Sequence, residues 1–103
     1  MRKEQDMVRE FHIKYGFLVN TGFDTHELLK RHAFISEETG ELARAIMTDN
    51  KLEIVDALVD TMYFILGTAV ILGVDLEDEF AKVHQQNMLK PNKKSTAGKL
   101  LKK

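Results

Sequence analysis

The sequence predicts an all-α protein: a four-helix bundle with antiparallel helices, completed by oligomerisation. Three observations carry this. Apolar residues recur at helical period in four segments. Asp24, Asn50 and Asp75 stand before three of these as N-caps. The 103 residues include one Pro, six Gly and no Cys, which suits long helices better than a turn-rich β-fold.

The first helix is expected over about Glu4 to Tyr15. Met7, Val8, Phe11 and Tyr15 form one stripe at helical spacing, and Gly16 and Asn20-Thr21-Gly22 break it. The second runs from Thr25 to Met47. Asp24 is its cap, with Glu27 three residues on in capping-box spacing. Leu28, Leu29, Ile35, Leu42, Ala45 and Ile46 supply its apolar face, and Thr48-Asp49-Asn50 ends it. The third runs from Lys51 to Leu72, capped by Asn50 and stopped by Gly73. Its N-terminal half is amphipathic, and from Met62 onward it is apolar almost all round. The fourth runs from Leu76 to Leu89. Asp75 caps it, Glu77-Asp78-Glu79 suit the positive end of its dipole, and Pro91 stops it. Residues 1–91 thus form one domain. Residues 92–103, with five Lys and no acid, form a basic tail.

Composition excludes several classes of function. Fifteen Lys and Arg against sixteen Asp and Glu give a net charge of −1, which is not the footprint of a nucleic-acid polymer binder. Without Cys there is no disulfide scaffold, thiolate zinc site or thiol nucleophile. The charged N-terminus leads into no signal-peptide core. The most apolar stretch, Met62 to Val74, is shorter than the roughly 20 residues that cross a bilayer. The expectation is a cytoplasmic protein with no membrane partner. A third helix apolar all round needs cover on every side, so a homodimer or homotetramer with that helix at the interface is expected rather than a monomeric bundle.

The chemistry lies in the carboxylates. Glu37, Glu38 and Glu41 fall on the second helix, and Glu53, Asp56 and Asp60 on the third. At about 100° per residue the latter three lie within roughly 60° of one another, flanked by apolar residues. The short Thr48–Asn50 connection makes the two helices antiparallel neighbours. It brings Glu38 and Glu41 opposite Glu53 and Asp56. One like-charge pair at ~4 Å costs ~4 kcal/mol at an effective dielectric of ~20. Arg44 and Lys51 cannot neutralise four acids. Protonation or a hard cation remains, and oxygen-only ligands select Mg²⁺, with Mn²⁺ as a substitute. The absence of any Glu-x-x-His pair argues against a di-iron bundle.

Glu37-Glu38-Thr39-Gly40-Glu41-Leu42 followed by Glu53-Ile54-Val55-Asp56 resembles the EExxE…ExxD signature of the all-α nucleoside triphosphate pyrophosphohydrolases. That superfamily includes MazG, the dimeric dUTPases and phosphoribosyl-ATP pyrophosphohydrolase. Val8 to His12, Asp56 to Asp60, Gly67-Thr68-Ala69 and Val83-His84-Gln85-Gln86-Asn87-Met88-Leu89-Lys90 are similar to a phosphoribosyl-ATP-pyrophosphohydrolase-like, MazG-related branch. The pattern is departed from at Leu89, where Ser is frequent, and at Ala97, where an acid is usual.

The resemblance implies a MazG-like bundle and cleavage of a nucleotide between its α and β phosphates, releasing a monophosphate and pyrophosphate. It implies Glu38, Glu41, Glu53 and Asp56 as Mg²⁺ ligands, and Glu37 as an adjoining acid that supports the metal site or the attacking water. Asn87 and Lys90 match positions of nucleotide contact. His12 and His84 are candidates to face nucleotide, set against ordinary structural roles. Asp60 is a candidate at the substrate side, either behind the ligands or paired with a base across an interface. Phe11, Tyr15, Phe17 and Phe23 are candidates to stack on a base or to pack the core. Gly40 admits either a ligand or a neighbouring helix. The substrate is left open between a nucleoside triphosphate, phosphoribosyl-ATP and dUTP. A helical interaction module without activity is the alternative from another class.

Overall fold

The computed structural model describes residues 1–90; the basic tail lies outside them. Four helices follow in order: α1 (Arg2–Tyr15), α2 (Thr25–Met47), α3 (Lys51–Leu72) and α4 (Leu76–Met88), with no strand among the described residues. Helices α2 and α3 have the expected limits. Helix α1 starts two residues earlier than expected, and α4 ends one residue sooner.

The caps explain these limits. The Asn50 side chain accepts from the Glu53 N–H at 3.2 Å, and Asp75 accepts from the Glu77 N–H at 3.0 Å. Asp24 departs from the capping-box expectation: it accepts from the His26 N–H at 3.1 Å, while Glu27 pairs with Lys30 at 3.0 Å. Gly73 closes α3 at φ 76°, where a Cβ would also stand 3.1 Å from Asn20 Oδ1.

Helix α3 is the centre, and α1 and α2 pack against it. Val8, Leu66 and Val70 form the core, with Met1, Val19 and Leu76 against it. The α1–α2 connection closes the C-terminal end of α3. The Asn20 and Thr21 N–H groups donate to the carbonyls of Val70 and Ile71 at 3.0 and 2.8 Å, satisfying acceptors that a helix end leaves open.

Helix α4 is held differently. It buries no residue and touches chiefly α1. Arg2 reaches Asp75 at 2.7 Å, and Glu77 and Asp78 each at 3.0 Å. Gln5, buried, donates to the Val74 carbonyl at 2.7 Å and accepts from the Leu76 N–H at 3.1 Å, so one side chain satisfies both sides of the α3–α4 turn.

The cover of α3 is one-sided. Leu66, Gly67, Ala69, Val70 and Ile71 are buried, yet Val59 is 59% exposed and Met62 50%. Phe80 at 60% and Val83 at 52% extend this apolar surface onto α4. By length and composition α3 could cross a membrane, its most apolar 18-residue window having a mean hydropathy of 1.8, a longer apolar unit than the Met62–Val74 stretch suggests. Its N-terminal half carries Glu53, Asp56 and Asp60, which are costly in lipid.

Candidate metal and nucleotide site

The antiparallel pairing of α2 and α3 opens a cleft of about 440 Å³, lined by Glu41, Arg44, Glu53, Asp56, Ala57 and Asp60. Ala57 is buried at the floor. Its small side chain leaves the space that Glu53, Asp56 and Asp60, within a narrow stripe around it, can enter. Residues facing one another run in opposite order on the two helices, so Glu38 lies at the Asp60 end.

Glu38 is the most constrained of these acids. It is half-buried, and its Oε2 is sealed from solvent without a hydrogen-bond partner. Burial pushes its carboxyl above the ordinary Glu range, and the charges of Glu41, Asp60 and Glu37 push it further the same way. An orphaned carboxylate oxygen is costly unless something binds it. Glu41, Glu53, Asp56 and Asp60 are exposed on the cleft walls.

The register expectation is met in part: Glu41 of α2 and Glu53 and Asp56 of α3 line one cleft, whereas Glu38 stands beside Glu41 and Asp60 without lining it. The ligating geometry is not met: among the described residues no three of these groups stand close enough to hold one ion. Like charges favour separated rotamers, and exposed side chains are free to adopt them. The residues nonetheless fit a hard divalent cation. The donor set is all oxygen, and Glu38 Oε2 has no other partner.

Other expected site residues are placed elsewhere. Glu37 is exposed beside Glu38 and does not line the cleft. His84, Asn87 and Lys90 lie on or just beyond α4, where His84 and Asn87 are exposed, and none lines the cleft. His12 is buried and structural, with Nδ1 bonded to the Leu18 carbonyl at 2.8 Å. Phe11 gathers Tyr15, Phe17 and Tyr63 at 5.0, 5.7 and 5.5 Å between ring centres, at the junction of α1 and α3. Phe23, 80% exposed, stands apart from them.

The sequence reading passed over Arg31, which joins α2 to α3. It donates to the Phe64 carbonyl at 3.0 Å and to Thr68 Oγ1 at 3.3 Å, and lies over the Phe64 ring at 5.2 Å. Burial pulls its pKa below the ordinary value. A Cβ on Gly67 would collide with its guanidinium and stand 3.0 Å from His12 Nε2. The Gly67-Thr68 pair is therefore what lets three helices meet here. The signal in the sequence was a glycine inside an apolar helix, where a close approach is the usual reason.

Four helices, with a carboxylate cleft between α2 and α3, define the class: an all-α bundle of the MazG-like type. The profile of the phosphoribosyl-ATP pyrophosphohydrolase family matches residues 16–87, and the chain belongs to that family of pyrophosphohydrolase enzymes. It is also similar to the uncharacterized protein L479 of Acanthamoeba polyphaga mimivirus, 32% identical over 78 residues. That match covers 68% of this chain, and the chain spans 31% of the relative's length.

Proposed function

We propose that this protein is a Mg²⁺-dependent nucleotide pyrophosphohydrolase that cleaves the α–β phosphoanhydride bond of a nucleoside triphosphate or a related nucleotide such as phosphoribosyl-ATP. The observation that carries this reading is the unpartnered Glu38 Oε2, beside Glu41 and Asp60 of the acidic cleft between α2 and α3 but not itself on the cleft lining. Family membership supports the reaction type.

Glu38, Glu41, Glu53 and Asp56 would hold the cation, drawn in by rotation of exposed side chains rather than movement of helices. Mg²⁺ would polarise the phosphoryl oxygens and lower the pKa of water. Glu37, or another carboxylate not committed to the ion, accepts the proton of the attacking water. The water oxygen bonds to the α phosphorus, the bond to the bridging oxygen breaks, and pyrophosphate leaves. Asp60, facing Glu38, acts on the cation side, because a bare carboxylate repels phosphate. His84, Asn87 and Lys90 would meet the nucleotide only if assembly or movement of α4 brings them to a cleft.

The active form is a homodimer or homotetramer joined through the open face of α3 and α4. Val59, Met62, Phe80 and Val83 support this, because exposed apolar surface of this kind favours burial.

The test is turnover of a panel of ordinary, deoxy and modified triphosphates plus phosphoribosyl-ATP, with Mg²⁺ and with chelator. Equal amounts of monophosphate and pyrophosphate, only with Mg²⁺, are expected. No turnover of any of them overturns the reading and leaves a helical interaction module.

A further inference from the structure

The cleft has two unlike ends. Toward the α2–α3 connection stands Arg44, the only basic side chain lining it among the described residues. At the other end α3 continues from Asp60 to Tyr63, about 4.5 Å further along the axis, where Phe11 and Phe17 gather. Acids lie between.

Arg44 is unusual for its setting. It shares the cleft with Glu41, Glu53, Asp56 and Asp60, yet forms no ion pair among the described residues. Its side chain runs back along α2, so that Nη1 lies 3.7 Å from where a Cβ on Gly40 would stand. The bare Cα of Gly40 gives the guanidinium a path one turn N-terminal, to the height of Glu41. Unpaired, Arg44 leaves the carboxylates free for a cation and keeps its own fork of donors free for an anion.

We infer that Arg44 anchors the leaving pyrophosphate half of the nucleotide and thereby sets the polarity of binding, with the nucleoside toward the Tyr63 end. This rests on the hydrolase reading above. Three acids on α3 and two on α2 repel a polyphosphate, and cations on the carboxylates offset that repulsion only locally. A planar guanidinium can grip phosphate oxygens bidentately, which a point charge cannot. Arg44 is exposed, so its removal should leave the fold intact.

The experiment is calorimetric titration of inorganic pyrophosphate, with Mg²⁺ present, into wild type, Arg44→Ala and Arg44→Lys. A separate Mn²⁺ titration without pyrophosphate and a triphosphate assay use the same preparations. Charged bidentate contacts predict roughly 10- to 100-fold weaker pyrophosphate binding in Arg44→Ala and an intermediate loss in Arg44→Lys. Mn²⁺ affinity should be unchanged or tighter, since a cation has left the cleft. Unchanged pyrophosphate binding in Arg44→Ala overturns the assignment, and if wild type still cleaves triphosphate the hydrolase reading survives alone. Weaker Mn²⁺ binding in Arg44→Ala also overturns it, because Arg44 would then shape the carboxylates rather than hold the anion. Wild type that binds neither Mn²⁺ nor pyrophosphate and cleaves nothing removes both.

Discussion

Replacing Glu38 by Gln should make the metal-free protein more stable and the metal-loaded protein less responsive. Gln keeps the shape, removes one charge from a group that also includes Glu37, Glu41 and Asp60, and offers an amide donor to the neighbouring carboxylates. A like-charge pair at ~4 Å costs between ~1 kcal/mol in water and ~4 kcal/mol at an effective dielectric of ~20. The cleft is open and Glu41 and Asp60 are exposed, so screening favours the lower figure. About 1 kcal/mol corresponds to roughly 4–8 °C in Tm for a domain of this size. Wild type at a Mg²⁺ concentration about 100 times its Kd should gain about 2.7 kcal/mol, or roughly 11–22 °C. The variant, lacking one charged ligand, should gain far less, so the two thermal curves exchange order between chelator and Mg²⁺. The assay is thermal unfolding at fixed protein concentration and about pH 7.5, above the ordinary carboxylate range. A variant no more stable than wild type in chelator, with an equal metal increment, would refute the reasoning.

Other expected outcomes follow from the same structure. The raised pKa of Glu38 means the folded protein binds more protons than the unfolded chain just above the ordinary carboxylate range. Its contribution to metal-free stability therefore falls as pH rises through the raised value, and the Mg²⁺ increment shrinks as pH falls toward it, as Tm series across pH would measure. Asp75 and Glu77 have the opposite sign. Arg2 holds both carboxyls below their ordinary range, so the tie between α1 and α4 weakens as pH falls through those lowered values. Amide exchange in α4 should then accelerate before exchange in α3. Gly67→Ala should cost about 1–3 kcal/mol by overpacking against Arg31 and His12, read by denaturant unfolding. Phe80→Asp should reduce the proposed oligomer to monomers in light scattering, and an unchanged mass would remove the open apolar face from the interface.

Much of the fold was legible because its determinants are local. Asn50, Asp75 and Gly73 sit where cap chemistry needs them, and they fixed the ends of α3 and the start of α4. Asp24 marked the start of α2, but Glu27 found Lys30 instead of the cap, a choice between two nearby partners that spacing does not decide. The facing of Glu41 with Glu53 and Asp56 followed from helical register and a three-residue connection, Thr48–Asn50. The spread of those carboxyls did not, because rotamers of exposed side chains are set by charge and solvent rather than by register. Gln5, His12 and Arg31 were illegible for another reason. Their partners at Val74 and Leu76, Leu18, and Phe64 and Thr68 are backbone and side-chain groups that only the folded chain brings near. His84, Asn87 and Lys90 carry a motif on or just beyond α4, which packs chiefly on α1 and contributes nothing to the lining of the α2–α3 cleft.

The most direct measurement is the anomalous difference map of a crystal soaked in Mn²⁺. A peak between α2 and α3, within about 2.3 Å of oxygens from Glu38 and at least two of Glu41, Glu53 and Asp56, is the expected result. A fully soaked crystal with no peak in that cleft, or with its ion bound elsewhere, would contradict the account.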